Sequence, residues 1–171
     1  MTTTEQATDQ PGGWTPPSAL ERKAILDDAT TIAIVGASAN PARASNFVMT
    51  YLKSSICEYD LYPVNPREEE ILGLRSYPSL EALPVVPDIV DVFRKPEDCP
   101  AIAAEAVAIG AKVLWLQLGI QSEEAAEIAM AGGLSVVMDR CTKIEHARFA
   151  GGLHLSGFDT GVINSRRRPR R

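Results

Sequence analysis

The chain has 171 residues with 17 basic and 22 acidic side chains, a formal net charge of −5. That length suits one domain with tails and argues against two full domains, while 45% apolar residues supply a core and exclude global disorder. No apolar run approaches the ~20 residues of a membrane span, and the first twenty residues lack the basic-then-apolar pattern of a secretory signal. A cytoplasmic protein is expected.

The charge is unevenly spread. Arg166, Arg167, Arg168, Arg170 and Arg171 fall in the last six positions, leaving twelve basic against 22 acidic side chains in residues 1–165. So acidic a body argues against nucleic acid and anionic membrane as partners, and five terminal arginines would add only weak, salt-sensitive contact. Cys57, Cys99 and Cys141 stand far apart, with only His146 and His154 to join them, so neither a disulfide framework nor a structural metal is expected.

Residues 1–17 are polar and rich in Thr, Gln, Gly and Pro, and read as a flexible lead-in. Ser18 and Glu21 have capping-box spacing and open a helix that runs to about 27. Residues 31–35 (TIAIV) form a buried strand ending at Gly36. Phe47, Val48, Tyr51 and Leu52 have helical spacing within 45–54. A second strand at 59–64 stops at Asn65-Pro66. Residues 67–83 read as connection, with a polar bend at Glu68-Glu69-Glu70 and a one-turn helix at 79–83.

A third strand follows at 89–93. The next helix starts around Pro96 and Pro100, buries Ile102, Ala106 and Ile109, and stops at Gly110. Residues 112–118 (KVLWLQL) make a fourth strand, Ser122 caps a helix that ends at Gly132-Gly133, and 134–138 make a fifth. Alternation of helices with near-continuously apolar strands predicts an α/β, Rossmann-like three-layer fold with a five-stranded parallel sheet, in order 3-2-1-4-5.

In such sheets ligands bind beyond the carboxyl ends of the strands. The segments expected there carry Gly36 to Arg43, Val64 to Arg67, Phe93 to Pro96, Gln117 to Ile120, and Asp139 to Cys141. Arg43, Arg67, Arg94, Lys95 and Arg140 thus bring five cations to one rim of an acidic body, which suits an anionic, phosphorylated small ligand. A dinucleotide fingerprint needs glycines where the first turn has Gly36, Ser38 and Pro41, so two of three are missing. The second strand ends Val64-Asn65-Pro66, with no acid for a ribose hydroxyl. A Walker A lysine is also lacking. What remains is a compact loop with exposed N–H groups, the Ser38 hydroxyl and Arg43 leading into a helix N-terminus, a phosphate cradle of a less familiar type.

The segments IVGASANPARASNFVMTYL, LYPVNPREEEILGLRSYPSLEALP, DIVDVFRKPE, GAKVLWLQLGI and LSVVMDRCTKIEH resemble, in order and spacing, the stand-alone coenzyme A-binding domain proteins. These are similar to the N-terminal CoA-binding domain of the succinyl-CoA synthetase α subunit. The resemblance covers about residues 20–146 and implies coenzyme A as the cofactor. It places Gly36, Ala37, Ser38 and Arg43 on the phosphates, and Val64, Asn65, Pro66 and Arg67 on the adenosine side. It sets Phe93 and Arg94 across the third strand, Gln117, Leu118 and Gly119 along the pantetheine arm, and Asp139, Arg140 and Cys141 deeper in the cleft. Synthetase activity is not carried over, because its phosphohistidine domain has no counterpart in this sequence.

Three alternatives stay open. The same cleft could serve an NAD(P)-linked oxidoreductase, against which the glycines speak, or a CoA-dependent transferase or ligase component. Gln117 suits a satisfied buried amide as well as a ligand contact. Cys141 suits packing, or a redox role through a mixed disulfide beside Arg140. The expected organisation is therefore a flexible segment at 1–17, a CoA-binding domain at 18–146, and a Gly-rich extension with the arginine tail at 147–171. Leu153, Leu155, Phe158, Val162 and Ile163 equip that extension to lie on its own domain or to join a homo-oligomer.

Overall fold

A computed structural model describes residues 13–54 and 57–150; the Gly-rich stretch, His154 and the arginine tail lie outside them. Helix α1 (Ala19–Asp28) starts with a complete capping box: Ser18 Oγ accepts the Glu21 N–H, and Glu21 accepts the Ser18 N–H. Strand β1 (Thr31–Val35), helix α2 (Ala44–Leu52) and strand β2 (Asp60–Val64) follow. The connection read as a bend and a one-turn helix instead contains a hairpin, β3 (Glu70–Ile71) with β4 (Leu74–Arg75), and plain turns at 79–83. Then come β5 (Ile89–Val92), a 3₁₀ turn at Pro96–Asp98, α3 (Cys99–Ile109), β6 (Val113–Leu116), α4 (Glu123–Ala131), β7 (Ser135–Val137) and α5 (Thr142–Phe149).

Five strands form one parallel sheet in the order β2-β1-β5-β6-β7. Counting only sheet strands, this is 2-1-3-4-5, so the expected 3-2-1-4-5 order is corrected. The reason lies in β2. Pro63 lacks an N–H, and its carbonyl points away from β1 to accept the Tyr77 N–H at 2.9 Å. On that outer side β2 has no donor at Pro63 and meets a single bridge at Tyr77, not a further strand of the sheet. The third sheet strand, β5, pairs with the other side of β1.

Alternate residues of the central strands feed two apolar layers. Val35, Val90, Val92, Leu114 and Leu116 pack with α3 and α4, and Ile32, Ile34, Ile89 and Trp115 pack with residues of α1, α2 and α5. Burial of every residue in β5 and β6 is the signature of a sheet covered on both faces.

The described chain is tied down near both of its ends. The lead-in is anchored from Trp14, whose indole N–H donates to the Val136 carbonyl at 3.0 Å and covers the β7 edge. Helix α5, unforeseen in the sequence, runs through residue 146, where the domain was expected to end. It carries no broad apolar stripe; Arg22 of α1 reaches its buried Glu145 at 2.9 Å, and Tyr51 of α2 meets His146 at 2.9 Å. Among the described residues no helix is long and apolar enough to cross a membrane.

Candidate functional site

Parallel strands send all their carboxyl ends to one edge. From there β1 continues to α2 on one face and β5 to α3 on the other, so their loops diverge and leave a crevice between adjacent strands. Gly36 sits in its floor with φ +84°, a conformation costly for any residue with a Cβ. A Cβ there would stand 2.7 Å from the Phe93 carbonyl oxygen and 3.0 Å from Arg94 Cδ. Glycine is thus required twice, by its backbone angle and by the approach of the β5 loop.

The first loop is less open than its sequence implied. Gly36 N–H donates to the Val64 carbonyl (3.1 Å), Asn40 N–H to Ser38 Oγ (3.1 Å), Ala42 N–H to Asn40 Oδ1 (2.9 Å) and Arg43 N–H to the Asn40 carbonyl (3.0 Å). Ala37 is wholly buried in the apolar layer, and its carbonyl accepts the Asn65 amide at 2.8 Å. Short Ser and Asn side chains turn back onto their own backbone and take up part of the loop's N–H groups. The first-turn N–H groups of α2, which an α-helix leaves without intrahelical acceptors, lie directly beyond.

A carboxylate also enters this loop. Glu68 Oε2 accepts the Ala39 N–H at 2.9 Å, and Oε1 lies 3.4 Å from Asn65 Nδ2. The sequence reading found no acid at the end of β2; the chain supplies one four residues later by folding back over the β1 loop.

The cations expected on the rim all follow carboxyl ends, and Arg43, Arg67, Arg94, Lys95 and Arg140 are exposed. Arg94 is steadied over Gly36 by Asp98, at 3.0 and 3.1 Å. Arg140 donates to the Asp139 carbonyl at 3.1 Å. Val64 is buried, Pro66 is exposed, and Asn65 joins the first two loops through Ala37 and Glu68 while accepting the Arg67 N–H at 2.9 Å.

Of the two roles open to Gln117, the structure shows the buried amide. Its Nε2 donates to Asp91 Oδ1 at 2.7 Å and to Thr142 Oγ1 at 2.8 Å, and Thr142 Oγ1 donates to Asp91 Oδ2 at 2.9 Å. Burial pushes the Asp91 carboxyl up to about 7, with the two hydrogen bonds pulling against it. Leu118, 61% exposed, is the apolar group that β6 presents at the edge. The Gly119 N–H is held by Asp139 Oδ1 at 2.7 Å, so Asp139 acts as a structural acceptor between the loops after β6 and β7. Cys141 stands half-buried at the N-cap of α5.

Two concavities lie away from the β1 loop, the second of them reaching Asp139 and Arg140. A groove of about 420 Å³ runs between the start of β2 and the β4 side, near Lys53, Tyr62 and Tyr77, and one of about 240 Å³ lies by Trp14 and Met138. Neither is lined by the β1 loop, and an extended ligand spread along strand ends does not need a deep cavity.

The CoA-binding domain family model matches residues 30–147, spanning the sheet and the crevice together. The chain belongs to this family. As a CoA-binding domain it is similar to the uncharacterized protein YneT of Bacillus subtilis (strain 168), 39% identical over 131 residues that cover 77% of this chain and 96% of the relative. It is similar to a hypothetical protein from Pyrococcus horikoshii OT3, with TM-score 0.76 and 38% identity over 82% of this chain and 99% of the other. A Thermus thermophilus protein matches with TM-score 0.72 and 36% identity, over 77% and 98%.

The residues of this CoA-binding domain fit a phosphorylated ligand. The turn at Gly36 leaves no room for a Cβ, so backbone can approach closely, and exposed arginines follow at Arg43, Arg67 and Arg94. Sequence reasoning missed Glu68, Asp91 and Thr142. An acid inside the otherwise apolar strand 89–92 was the available signal for Asp91; the Glu68 contact spans 29 residues and had none.

Proposed function

We propose that the β1–β5 crevice binds coenzyme A or an acyl-CoA, and that the protein works as a non-catalytic cytoplasmic carrier, sensor or regulatory module. The observation that carries this is Gly36: its turn packs against Phe93 and Arg94 at a point where only backbone fits, just before α2 and beneath a cationic rim. In this reading Ser38 and the first turn of α2 hold the pyrophosphate by hydrogen bonds, and Arg43 neutralises it. Val64, Asn65 and Pro66 border the adenosine, with Arg67 for its phosphate. Phe93 and Arg94 flank the ligand, while Leu118 and Gly119 border the pantetheine arm on its way to Arg140 and Cys141. Gln117 contributes from beneath, by fixing the end of β6.

Binding is favoured over catalysis because the cysteine–histidine contact found among the described residues lies away from the rim. Cys57 Sγ is 3.6 Å from His146 Nδ1, between α2 and α5, and burial pushes its thiol up to about 11. A protonated, buried thiol is a poor nucleophile.

One observation favours a second reading. Glu68 stands close to where dinucleotide-binding domains place the acid that accepts a ribose hydroxyl, which suits NAD. Thermal-shift measurements with CoA, acetyl-CoA, NAD, NADP and ATP separate the two. CoA and acetyl-CoA are expected to raise the melting temperature most; stabilisation by NAD without stabilisation by CoA would overturn the proposal.

A further inference from the structure

We infer that Glu68 is an internal competitor for the phosphate site, an anionic side chain that holds the Ala39 N–H until the ligand displaces it. The inference rests on the reading of the crevice as a CoA site. Most N–H groups of the first loop are satisfied within the loop or by the adjoining strand. Ala39 differs: its N–H donates to a carboxylate from the loop after β2, at 2.9 Å. The other carboxylate oxygen faces the Asn65 amide, which also holds the Ala37 carbonyl. Glu68 therefore bridges the two loops expected to enclose the ligand.

A carboxylate and a phosphate oxygen make the same demand on an N–H group: each is an anionic acceptor that gains from a charge-assisted bond. One N–H cannot serve both fully, and two anions within hydrogen-bonding range repel each other. Binding of a phosphate at this loop must then turn Glu68 outward. The surrounding chain allows that movement to stay local. The Ser76 N–H holds the Glu69 carbonyl at 2.8 Å, and Lys53 Nζ holds the Leu72 carbonyl, so the hairpin stays anchored while the Glu68 side chain swings. The consequence is a lowered affinity that a ligand with several phosphate charges overcomes more readily than a singly charged one.

The test is a calorimetric titration of the wild-type chain, Glu68→Gln and Glu68→Ala, each with CoA and with inorganic pyrophosphate. Both variants are expected to bind CoA about tenfold more tightly than wild type, the scale of losing a charged rather than a neutral hydrogen-bonded competitor. Pyrophosphate is expected to gain by a similar factor. Unchanged affinity in both variants would overturn the inference and leave the CoA reading standing. Weakened binding would also overturn it, because the carboxylate would then be a ligand contact such as a ribose acceptor. If neither ligand bound any of the three proteins, the CoA reading and the inference would fall together.

Discussion

Gly36 shows how one residue ties the fold to the site. Its φ of +84° and the 2.7 Å separation of a built Cβ from the Phe93 oxygen are independent penalties. Gly36→Ala is expected to cost about 1–3 kcal/mol of stability and to weaken CoA binding, as the β5 loop is pushed from the crevice. Chemical denaturation and calorimetry of the variant check both; wild-type values for both would remove Gly36 from its assigned role. The position was legible because a glycine directly after a buried strand has few other uses. Arg43 was legible for a related reason, as a cation where β1 gives way to a helix N-terminus. Glu68 was not, since nothing local to Glu68-Glu69-Glu70 says which acid folds back onto residue 39.

At the scale of elements, strands and capped helices were readable from periodicity and cap chemistry, as at Ser18 and Ser122. Helix α5 was hidden because polar contacts dock it. Its Thr142 joins the Asp91–Gln117 pair, and Glu145 is matched to Arg22 from a residue 123 positions away. The Asp91 carboxyl titrates near ~3.9 in an unfolded chain and is held at about 7 when buried. Between those values the folded chain keeps a proton that the unfolded chain has released. Asp91 therefore makes stability fall as pH rises from about 4 to about 7, with no further loss above. His146, whose pKa burial lowers, acts with the opposite sign, losing stability as pH falls through the ordinary histidine range. The comparison is best made against Asp91→Asn, which keeps a hydrogen-bonding group of the same shape. Relative to wild type, the variant's melting temperature is expected to rise between pH 5 and pH 8. A constant difference across that range would contradict this.

For the whole molecule, the class of fold was legible and the strand order was not. Alternating strands and helices leave several orders open, and nothing local to β2 says that its outer side meets only a bridge at Tyr77. The resulting order puts β5 beside β1 and opens the crevice there. The opposite edge of the sheet is built for stability. Burial would push the Asp88 carboxyl up, but hydrogen bonds from Lys112, Thr30 and Thr31 outweigh it and hold it well below the usual range. The two edges thus divide their tasks, one clamping strands and the other presenting loops and cations. Amide chemical-shift mapping during a CoA titration tests that division most directly. The shifts are expected to cluster at Ser38, Arg43, Asn65, Arg67, Arg94 and Leu118, leaving Thr30, Asp88 and Lys112 unmoved. Shifts confined to the groove at Lys53, Tyr62 and Tyr77 would contradict the assignment of the crevice as the CoA site.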